Sequence, residues 1–384
     1  MNKKFRFLTS GESHGKCLNC IIEGVPAGFR IDKNVINNEL CRRQQGYGRG
    51  GRMRIETDTV QINSGIRHGI TLGSPICLEI LNKDYENWKT AMSPEPPDIA
   101  DEDIRSFTKL RPGHADYAGS VKYGFNDLRN VLERASARKT AAETAVGSIA
   151  KQILKEFGID GFSTVTKIGR VENKKTIDND DFPEIKRLSE ISEVRCFDPE
   201  ISEKMKEEID FVKSKGDSVG GEFTVIYTNI PVGLGSYVFY NRAIDGLIAQ
   251  AVMSIPAVKS VEIGAGKQSA LLLGSEMHDP FYSDNGKIIR KTNNAGGIEG
   301  GMTNGEPLIV KAAMKPIPTM LNPLPTVDIK DGSVSESHFE RSDTCAVPAC
   351  AVVAEARIAI VLINEFLDKF GGDSLNEIKA HYEC

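Results

Sequence analysis

Apolar and polar residues alternate in several short segments of the chain, and this period of two predicts β-strands. Within residues 57–80 glycines separate two alternating segments, which indicates a β-hairpin. Elsewhere apolar residues recur every three or four positions, as expected for helices packed on a core. The further strands predicted in this way are 4–10, 18–23, 161–172, 220–235, 258–266 and 306–315, and the helices are 34–44, 131–157, 242–255 and 345–370.

Strands and helices alternate along the whole chain, and no segment between them has the composition of a linker. This organisation predicts one intertwined α+β domain covering residues 1–384. Residues 84–109 are acidic and contain prolines, which favours a surface excursion. Residues 172–215 are highly charged with no clear apolar face, so we expect solvated helices or an insert without chemistry there.

Composition excludes several classes of protein. The formal net charge of −5 argues against a nucleic-acid-binding protein. We find no run of about 18 apolar residues and no apolar signal segment at the N-terminus, so we expect a cytoplasmic protein without a membrane partner. The eight cysteines are expected to be free thiols, because a lone C-x-x-C at Cys17 and Cys20 is a weak metal signal.

Two histidines lie beside glycines in polar segments. His14 stands in GESHG, where we expect an exposed side chain on a turn after a strand. His114 stands in RPGHADY, with Arg111 close by. An imidazole can hold a proton for an anion or a leaving group at neutral pH. The alternative is a structural histidine satisfied within a turn.

Arginines cluster in CRRQQGYGRGGRMRIETD, which carries Arg42, Arg43, Arg49, Arg52 and Arg54 among four glycines. Guanidinium groups pair with phosphate and carboxylate, and glycines let the backbone bend around a small anion. The segment lacks the G-K-[ST] ending of a phosphate-binding P-loop. A small-anion cradle is favoured over an RNA-binding stretch or a solvated basic loop, because the chain is acidic and only Tyr47 interrupts the arginines.

Three further segments carry candidate chemistry. Arg134, Ser136, Arg138 and Thr140 fall at or near a predicted helix start, where free N–H groups favour an anion. The glycine-rich segment 293–302 could lie flat against a planar ring such as a flavin, or form a flexible loop. Asp343 is a candidate base and Arg341 a candidate anion ligand, although capping of the C-terminal helix by Ser342, Asp343 or Thr344 is the commoner use of such residues.

Taken together, these segments resemble the chorismate synthase family. The shared motifs are GESHG, RRQxGYGRGGRMxIExD, RPGHADY, ERASARxT, NNAGGIEGGMTNGEP and RSDxCAVPA, in the family order from Phe5 to about Leu367. The resemblance implies an anti-1,4-elimination of phosphate from 5-enolpyruvylshikimate 3-phosphate to give chorismate, the last common step of aromatic biosynthesis. It also implies a requirement for reduced FMN without net redox change.

The resemblance also implies roles for individual residues. His14 would protonate the departing phosphate, His114 would hold the protonation state of the reduced flavin, and Asp343 would act with flavin N5 in removing the C6 hydrogen. The implied substrate ligands are Arg43, Arg49, Arg52, Arg138 and Arg341. The implied flavin ligands are Arg134, Ala135, Ser136, Pro256, Ala257, Gly300, Lys315, Pro316, Ile317, Pro318, Thr319 and Arg341, and Arg43 and Arg49 also match NADP-binding positions.

The implied fold is a β-α-β sandwich of two antiparallel sheets enclosed by helices, and the implied assembly is a homotetramer. FMN would be reduced either by the chain itself with NADPH or by a separate flavin reductase, and the lack of a visible added domain favours the external source. Lys267 stands where the family usually has an aromatic residue. Two alternatives stay open: another flavoenzyme acting on a phosphorylated anion, such as a reductase, and an RNA-binding protein with a basic loop.

Overall fold

The computed structural model describes residues 4–50, 57–96, 105–337 and 342–383. Its helices are α1 Lys33–Gln44, α2 Asp116–Tyr123, α3 Arg129–Ala135, α4 Thr140–Lys155, α5 Phe182–Ile191, α6 Pro199–Ser214, α7 Ile244–Met253, α8 Gly274–Met277, α9 Val347–Phe370 and α10 Leu375–Tyr382. Its strands are β1 Arg6–Ser10, β2 Cys17–Glu23, β3 Val60–Ser64, β4 Ile66–Arg67, β5 Ile70–Thr71, β6 Ile76–Leu81, β7 Asp160–Ile168, β8 Val171–Glu172, β9 Gly221–Thr228, β10 Val258–Ile263, β11 Phe281–Asp284, β12 Lys287–Arg290, β13 Ile298–Glu299, β14 Met302–Thr303, β15 Leu308–Met314, β16 Pro325–Val327 and β17 Val334–Glu336.

The longer strands form two antiparallel sheets. The first has the order β1-β2-β6-β3 and the second the order β10-β15-β9-β7-β8. Period-two burial explains why β6 forms a sheet with one covered face, since Ile76, Leu78 and Ile80 are fully buried and alternate with more exposed residues. The predicted α+β class, with several sheets and helices, is confirmed.

Two helices connect the sheets to one core. α4 contacts β2 and β6 of the first sheet, whereas α9 contacts β7 and β9 of the second sheet and packs along α4. The two helices approach closely at Gly147, where an added Cβ would lie 2.4 Å from the Cβ of Ala356. The largest cluster of buried apolar residues extends from Phe5 to Ile378 and includes residues of both sheets.

Helix α9 is long and apolar enough to cross a membrane by length and composition, with a mean hydropathy of 1.8 over an 18-residue window. The sequence analysis predicted this helix but found no run of about 18 apolar residues in the chain. In the structure 94% of that window is buried inside the protein. A helix that is apolar on all sides is typical of a protein centre, and α9 has that position here.

The predicted single helix over residues 131–157 is wrong in one respect, because it is interrupted at Ser136. Ser136 has an extended backbone with ψ of 145°, and its hydroxyl accepts a hydrogen bond from the backbone N–H of Arg138. A short 3-10 turn over Ala137–Lys139 then leads into α4. A serine that caps its own downstream turn competes with the continuous helix, and no hydrophobic period can reveal this.

The charged region 172–215 contains the expected helices, α5 and α6. The expectation that they lack a core face is wrong, since Met205 and Ile209 are fully buried. The region also contacts the arginine-rich segment, because the hydroxyl of Tyr47 donates to Asp210 at 2.8 Å.

A buried group of ion pairs holds α9 to its neighbours. The carboxylate of Glu355 is fully buried and accepts hydrogen bonds from Arg42, Lys151 and Arg195 at 2.8–3.3 Å. Burial alone would raise the pKa of Glu355, but the three cations more than offset it and hold that pKa well below its usual range. These contacts join the C-terminal end of α1, α4 and the segment after α5 to α9.

Removing the charge of Glu355 tests how much this group contributes. We expect Glu355→Gln to lower the free energy of unfolding by about 3–5 kcal/mol, because the variant leaves buried cations without their shared counter-ion. Urea denaturation measures the change. Glu184→Gln is the matched control, since Glu184 forms only an exposed pair with Arg187, and the midpoint of the control should stay at the native value. An equal midpoint for both variants would contradict the expectation.

Candidate active site

His14 lies in the turn that follows β1, and it is only 7% exposed. The expectation of an exposed, unobstructed side chain is therefore wrong. Glu133 of α3 holds the residue at two points: one carboxylate oxygen lies 2.9 Å from the ring Nδ1, and the other accepts the backbone N–H of His14 at 2.8 Å. Because Nδ1 contacts the carboxylate, Nε2 is the ring nitrogen through which His14 can transfer a proton to a ligand.

An aromatic ring covers the imidazole of His14. The ring centroids of His14 and Trp88 are 3.9 Å apart and their planes are inclined by 24°. The guanidinium carbons of Arg105 and Arg129 lie 4.2 Å and 5.2 Å from the Trp88 ring centroid. Trp88 belongs to the segment predicted as a surface excursion, so this segment contributes directly to the site.

Arg138 and Arg43 share one buried carboxylate. Arg138 donates to both oxygens of Asp58 at 2.7 Å and to Asn82 at 2.9 Å. Asn82 in turn donates to the carbonyl of Gly15, next to His14, at 2.6 Å. The Nη1 atom of Arg43 lies 3.7 Å from Asp58. These contacts bring two of the predicted anion ligands beside the predicted acid.

Arg43 is buried with incomplete pairing. Its Nε donates to Thr140 at 2.9 Å, whereas its buried Nη1 makes no hydrogen bond to any of the residues that the structure describes. Burial, helped by the charges of Arg138 and Arg49, lowers the pKa of Arg43 to about 9 although Asp58 opposes this. A buried donor without an acceptor is costly, and an anionic ligand would supply one.

Asp343 contacts the same segment. Its carboxylate accepts the backbone N–H of Gly50 at 2.6 Å and pairs with Arg49 at 2.9 Å. The N-cap of α9 is Ala346, which has no side-chain cap hydrogen bond. The alternative in which Ser342, Asp343 or Thr344 caps this helix is therefore wrong, and Asp343 is placed for chemistry or for holding Arg49.

Arg134 and Ser136 bind the loop that carries His14. Arg134 donates to the carbonyl oxygens of Thr9 and Gly11 at 2.7 and 2.9 Å. The hydroxyl of Ser136 lies 3.2 Å from that of Ser13. The break after α3, with Ala135 exposed at its end, therefore lies directly against the GESHG turn.

His114 belongs to a second cluster. Its Nδ1 lies 3.3 Å from the carbonyl oxygen of Pro112 and its Nε2 lies 3.2 Å from the hydroxyl of Thr319. A carbonyl only accepts, so Nδ1 carries the proton and Nε2 accepts from Thr319. Burial, followed by the charge of Arg111, lowers the pKa of His114 to about 4, which makes the ring neutral at pH 7.

Lys315 connects this histidine to the strands of the second sheet. Its ammonium donates to the carbonyl of Gly113 at 2.9 Å, and its backbone N–H donates to the carbonyl of Ala257 at 2.9 Å. Ala257 has φ of 72°, a left-handed conformation that a residue with a Cβ seldom adopts and that frequently marks a ligand site. An added Cβ at Gly113 would lie 2.7 Å from Pro318, so only glycine permits this approach.

The two clusters are joined through the residues before β9. The backbone N–H of Val219 donates to the carbonyl of Thr344 at 2.9 Å, and the hydroxyl of Ser218 donates to the carbonyl of Ile317. The residue that follows Asp343 and the segment after β15 therefore both contact the short connection that leads into β9. The predicted residues from Lys315 to Thr319 thus approach the arginine cluster.

Gly300 is not brought to this place within one chain. It lies in the turn between β13 and β14 and lines a cavity of about 520 Å³ with Asp279 and Glu299. The glycines before it contact Leu308 at the start of β15, whereas Lys315 follows the end of that strand. At about 3.3 Å per residue, the seven residues of β15 separate these positions by about 20 Å.

Two of the predicted ligands, Arg52 and Arg341, lie outside the described residues, as does Arg54. Arg42, which the sequence grouped with the other arginines, points instead to Glu355. The sequence analysis missed Glu133, Trp88, Asp58 and Asn82. Glu133 and His14 are 119 residues apart in the sequence, so no local signal marked their contact.

Two linked clusters of arginine, lysine and histidine, with carboxylates placed among them, are typical of an enzyme that acts on a small anionic molecule. The chain belongs to the chorismate synthase family, because the family model described as Chorismate synthase matches residues 5–367.

Similar proteins cover almost the whole chain. A relative from Alkaliphilus metalliredigens (strain QYMF), named Chorismate synthase, is 53% identical over 380 residues, which are 99% of this chain and 98% of the relative. A relative of the same name from Aquifex aeolicus (strain VF5) is 51% identical over 98% of this chain and 96% of its own length. A solved structure described as "Crystal Structure of Chorismate Synthase" has a TM-score of 0.79, with 43% identity over 99% of this chain and 96% of that chain.

The pKa of His114 predicts a dependence of stability on pH. In the unfolded chain a histidine titrates near ~6.5, whereas the folded value is about 4. Between these values the unfolded chain binds more protons, so the free energy of unfolding should fall as pH falls from 6.5 to 4. His114→Asn should flatten this slope relative to the native protein in urea denaturation at a series of pH values.

A matched variant separates this effect from general acid destabilisation. His68 is exposed and has φ of 52°, a conformation that asparagine adopts readily. The His68→Asn variant should keep the native slope. If His114→Asn also kept it, the neutral buried state of His114 would be refuted.

Proposed function

We propose that this chain is a chorismate synthase, a carbon-oxygen lyase of aromatic amino acid biosynthesis that converts 5-enolpyruvylshikimate 3-phosphate to chorismate and phosphate. The observation that carries the proposal is a family match over residues 5–367 together with the link from Arg43 and Arg138, which share Asp58, through Asn82 to the carbonyl of Gly15 next to His14. A phosphate ester needs both an acid for the leaving group and cations for its charge, and this cluster provides both.

Arginines would bind the substrate anions. The substrate carries one phosphate and two carboxylates, and guanidinium groups bind both kinds of anion in bidentate fashion. Arg43 offers a buried Nη1 donor, and Arg138 and Arg49 lie near it. Asp58 accepts hydrogen bonds from the Nη1 atom of Arg138, and this pairing fixes the orientation of the Arg138 guanidinium group. Arg52 and Arg341 complete this proposed set on the strength of the family motifs.

His14 would donate a proton to the departing phosphate. Its Nδ1 contacts Glu133, so the transfer would use Nε2. Protonating the leaving group as the C–O bond breaks lowers the charge that develops on phosphate. Asp343 would act with flavin N5 in removing the C6 hydrogen, and its contacts with Arg49 and the backbone N–H of Gly50 fix the direction of its side chain.

The second cluster fits the anionic flavin that the family requires. Lys315 is a cation for a phosphate or a reduced ring, neutral His114 and Thr319 are hydrogen-bonding partners, and the unusual backbone at Ala257 allows close approach. We propose that these residues hold FMN, together with Pro256, the segment 316–318 and, from the break after α3, Arg134, Ala135 and Ser136. Reduced FMN would supply electron density to the breaking allylic C–O bond. His114 would be a neutral hydrogen-bonding partner beside the flavin and would hold the protonation state of its reduced ring. NADPH at Arg43 and Arg49 would serve only as a reductant.

The finer features of the architecture also belong to the proposal. Both sheets share one core with α4 and α9 between them, which supports one domain over residues 1–384 and the description as a β-α-β sandwich of two antiparallel sheets enclosed by helices. The exposed aromatic side chains of Tyr237, Phe239 and Tyr240 support assembly into a homotetramer. We propose a cytoplasmic location and a separate flavin reductase as the source of reduced FMN.

Anaerobic turnover tests the proposed reaction. The protein is mixed with 5-enolpyruvylshikimate 3-phosphate and chemically reduced FMN, and phosphate and chorismate are followed together. Equal release of both, with FMN still reduced at the end, is the expected result. Consumption of reduced FMN in proportion to product would favour a reductase instead, and absence of both products from flavin-binding protein would overturn the proposal.

Substitution of the proposed acid tests its role. We expect His14→Ala to lower kcat by about 10²–10⁴-fold, because the leaving phosphate departs without its proton, while the affinity for FMN stays near the native value. His381→Ala is the control, since that exposed histidine lies against the carbonyl of Phe370 at the end of α9. Native turnover in the His14→Ala variant would show that the acid is another group.

A further inference from the structure

Glu133 makes three contacts with the loop that carries His14. One oxygen of its carboxylate lies 2.9 Å from the ring Nδ1, and the other accepts the backbone N–H of His14 at 2.8 Å. Its own carbonyl oxygen accepts the backbone N–H of Ser13 at 3.0 Å. Glu133 is 4% exposed, so these contacts are made in a site from which water is largely excluded.

Among the described residues, two further cations and two further carboxylates lie around His14. Arg129 lies 3.4 Å from Glu133 and, with Arg105, faces the Trp88 ring that stacks on the imidazole. On the remaining sides Asp84 accepts the Trp88 indole N–H at 3.1 Å, and Glu12 belongs to the same turn. Cations near an imidazole oppose its protonation, whereas a carboxylate on the ring favours it.

The carboxylate of Glu133 is itself ionised by this arrangement. Burial acts to raise its pKa, but the hydrogen bonds and charge of His14, followed by the charge of Arg129, more than offset burial and lower that pKa. A carboxylate can only accept a hydrogen bond, so Nδ1 of His14 carries a proton in this contact. The same bond fixes the ring orientation with Nε2 on the side away from Glu133.

We propose that Glu133 is a positioning residue for the proton-donating step: it orients the imidazole of His14 and keeps a proton on it among neighbouring arginines. The inference rests on the proposed role of His14 as the acid. In the balanced step, Nε2–H of the imidazolium transfers its proton to the phosphate oxygen as the C–O bond breaks, and Nδ1–H stays bonded to Glu133. The ring is left neutral, and a solvent proton restores it in the next turnover.

Trp88 makes this inference testable without any substrate. It is the single tryptophan of the chain, and it stacks on His14 at 3.9 Å. An imidazolium quenches a stacked indole more strongly than a neutral imidazole does. The fluorescence of the full-length protein without added flavin should therefore show a pH-dependent step at the protonation of His14. Loss of that step in His14→Gln assigns it.

The decisive comparison is the midpoint of this step in Glu133→Gln. The amide keeps the size of the side chain but loses its charge, so the midpoint should move to lower pH. Glu12→Gln is the matched control, because it removes a carboxylate from the same turn without breaking the ring contact, and it should move the midpoint much less. The same midpoints are read from ¹³C-histidine NMR, which reports His14 independently of quenching.

Kinetics supply the second arm. In Glu133→Gln the limb of the kcat–pH profile that reports the acid should move to lower pH in parallel with the fluorescence midpoint. At neutral pH kcat should then fall by the factor that the fluorescence midpoints give for the protonated fraction of His14, with FMN affinity unchanged. A merely structural Glu133 would lower stability or flavin binding and leave both midpoints in place.

The outcomes separate the two proposals. If the midpoint of Glu133→Gln equals the native midpoint, by fluorescence and by NMR, the positioning role is overturned even if turnover is lowered. A shifted midpoint in a protein that does not convert 5-enolpyruvylshikimate 3-phosphate would uphold the electrostatic role and reject the proposed function.

Discussion

The carboxylate of Glu355 is the interaction on which the arrangement of the site depends. It lies in the middle of α9, fully buried, and binds cations from α1, α4 and the segment after α5. A buried carboxylate is unfavourable unless it is paired, so the sequence elements that supply its cations must meet at one place. This fixes the C-terminal end of α1, where Arg42 points to Glu355 and the adjacent Arg43 points to Asp58. Arg42 thus has a structural role, and because it is fixed to Glu355, its neighbour Arg43 points into the site.

The site itself repeats this logic on a smaller scale. Asp58 holds Arg138, Asp343 holds Arg49, and Glu133 holds His14, each at 2.7–2.9 Å. Each cation is thereby oriented before a ligand arrives, and little reorganisation is needed when an anion binds. The pairing is incomplete at Arg43, whose buried Nη1 lacks an acceptor among the described residues. An anionic ligand therefore improves the electrostatics of a site that is already ordered.

Features of the fold and the site that depend on neighbours in the sequence could be predicted, whereas contacts between residues distant in the sequence could not. Period-two and helical patterns located β6, β15 and α9 well, because burial of one face is a local property of the sequence. The interruption at Ser136 escaped, since one hydroxyl decides between a cap and a continued helix. Motif chemistry found His14, Arg138 and Asp343, but Glu133 and Trp88 were missed because they reach His14 only through the fold. The burial of His14 was missed for the same reason: a glycine-flanked histidine suggests an open turn until a tryptophan from a distant segment covers it.

The two histidines show that similar local sequences acquire opposite environments. Both lie beside glycine in short polar motifs, yet His14 contacts a carboxylate on its ring, whereas His114 contacts a carbonyl and a hydroxyl near Arg111 and Lys315. The cations and burial keep His114 neutral, with a pKa of about 4. Environments that differ in this way commonly separate acid from non-acid roles. The neighbours of the two rings therefore support the proposed roles of His14 as acid and His114 as neutral partner, which the family motifs imply.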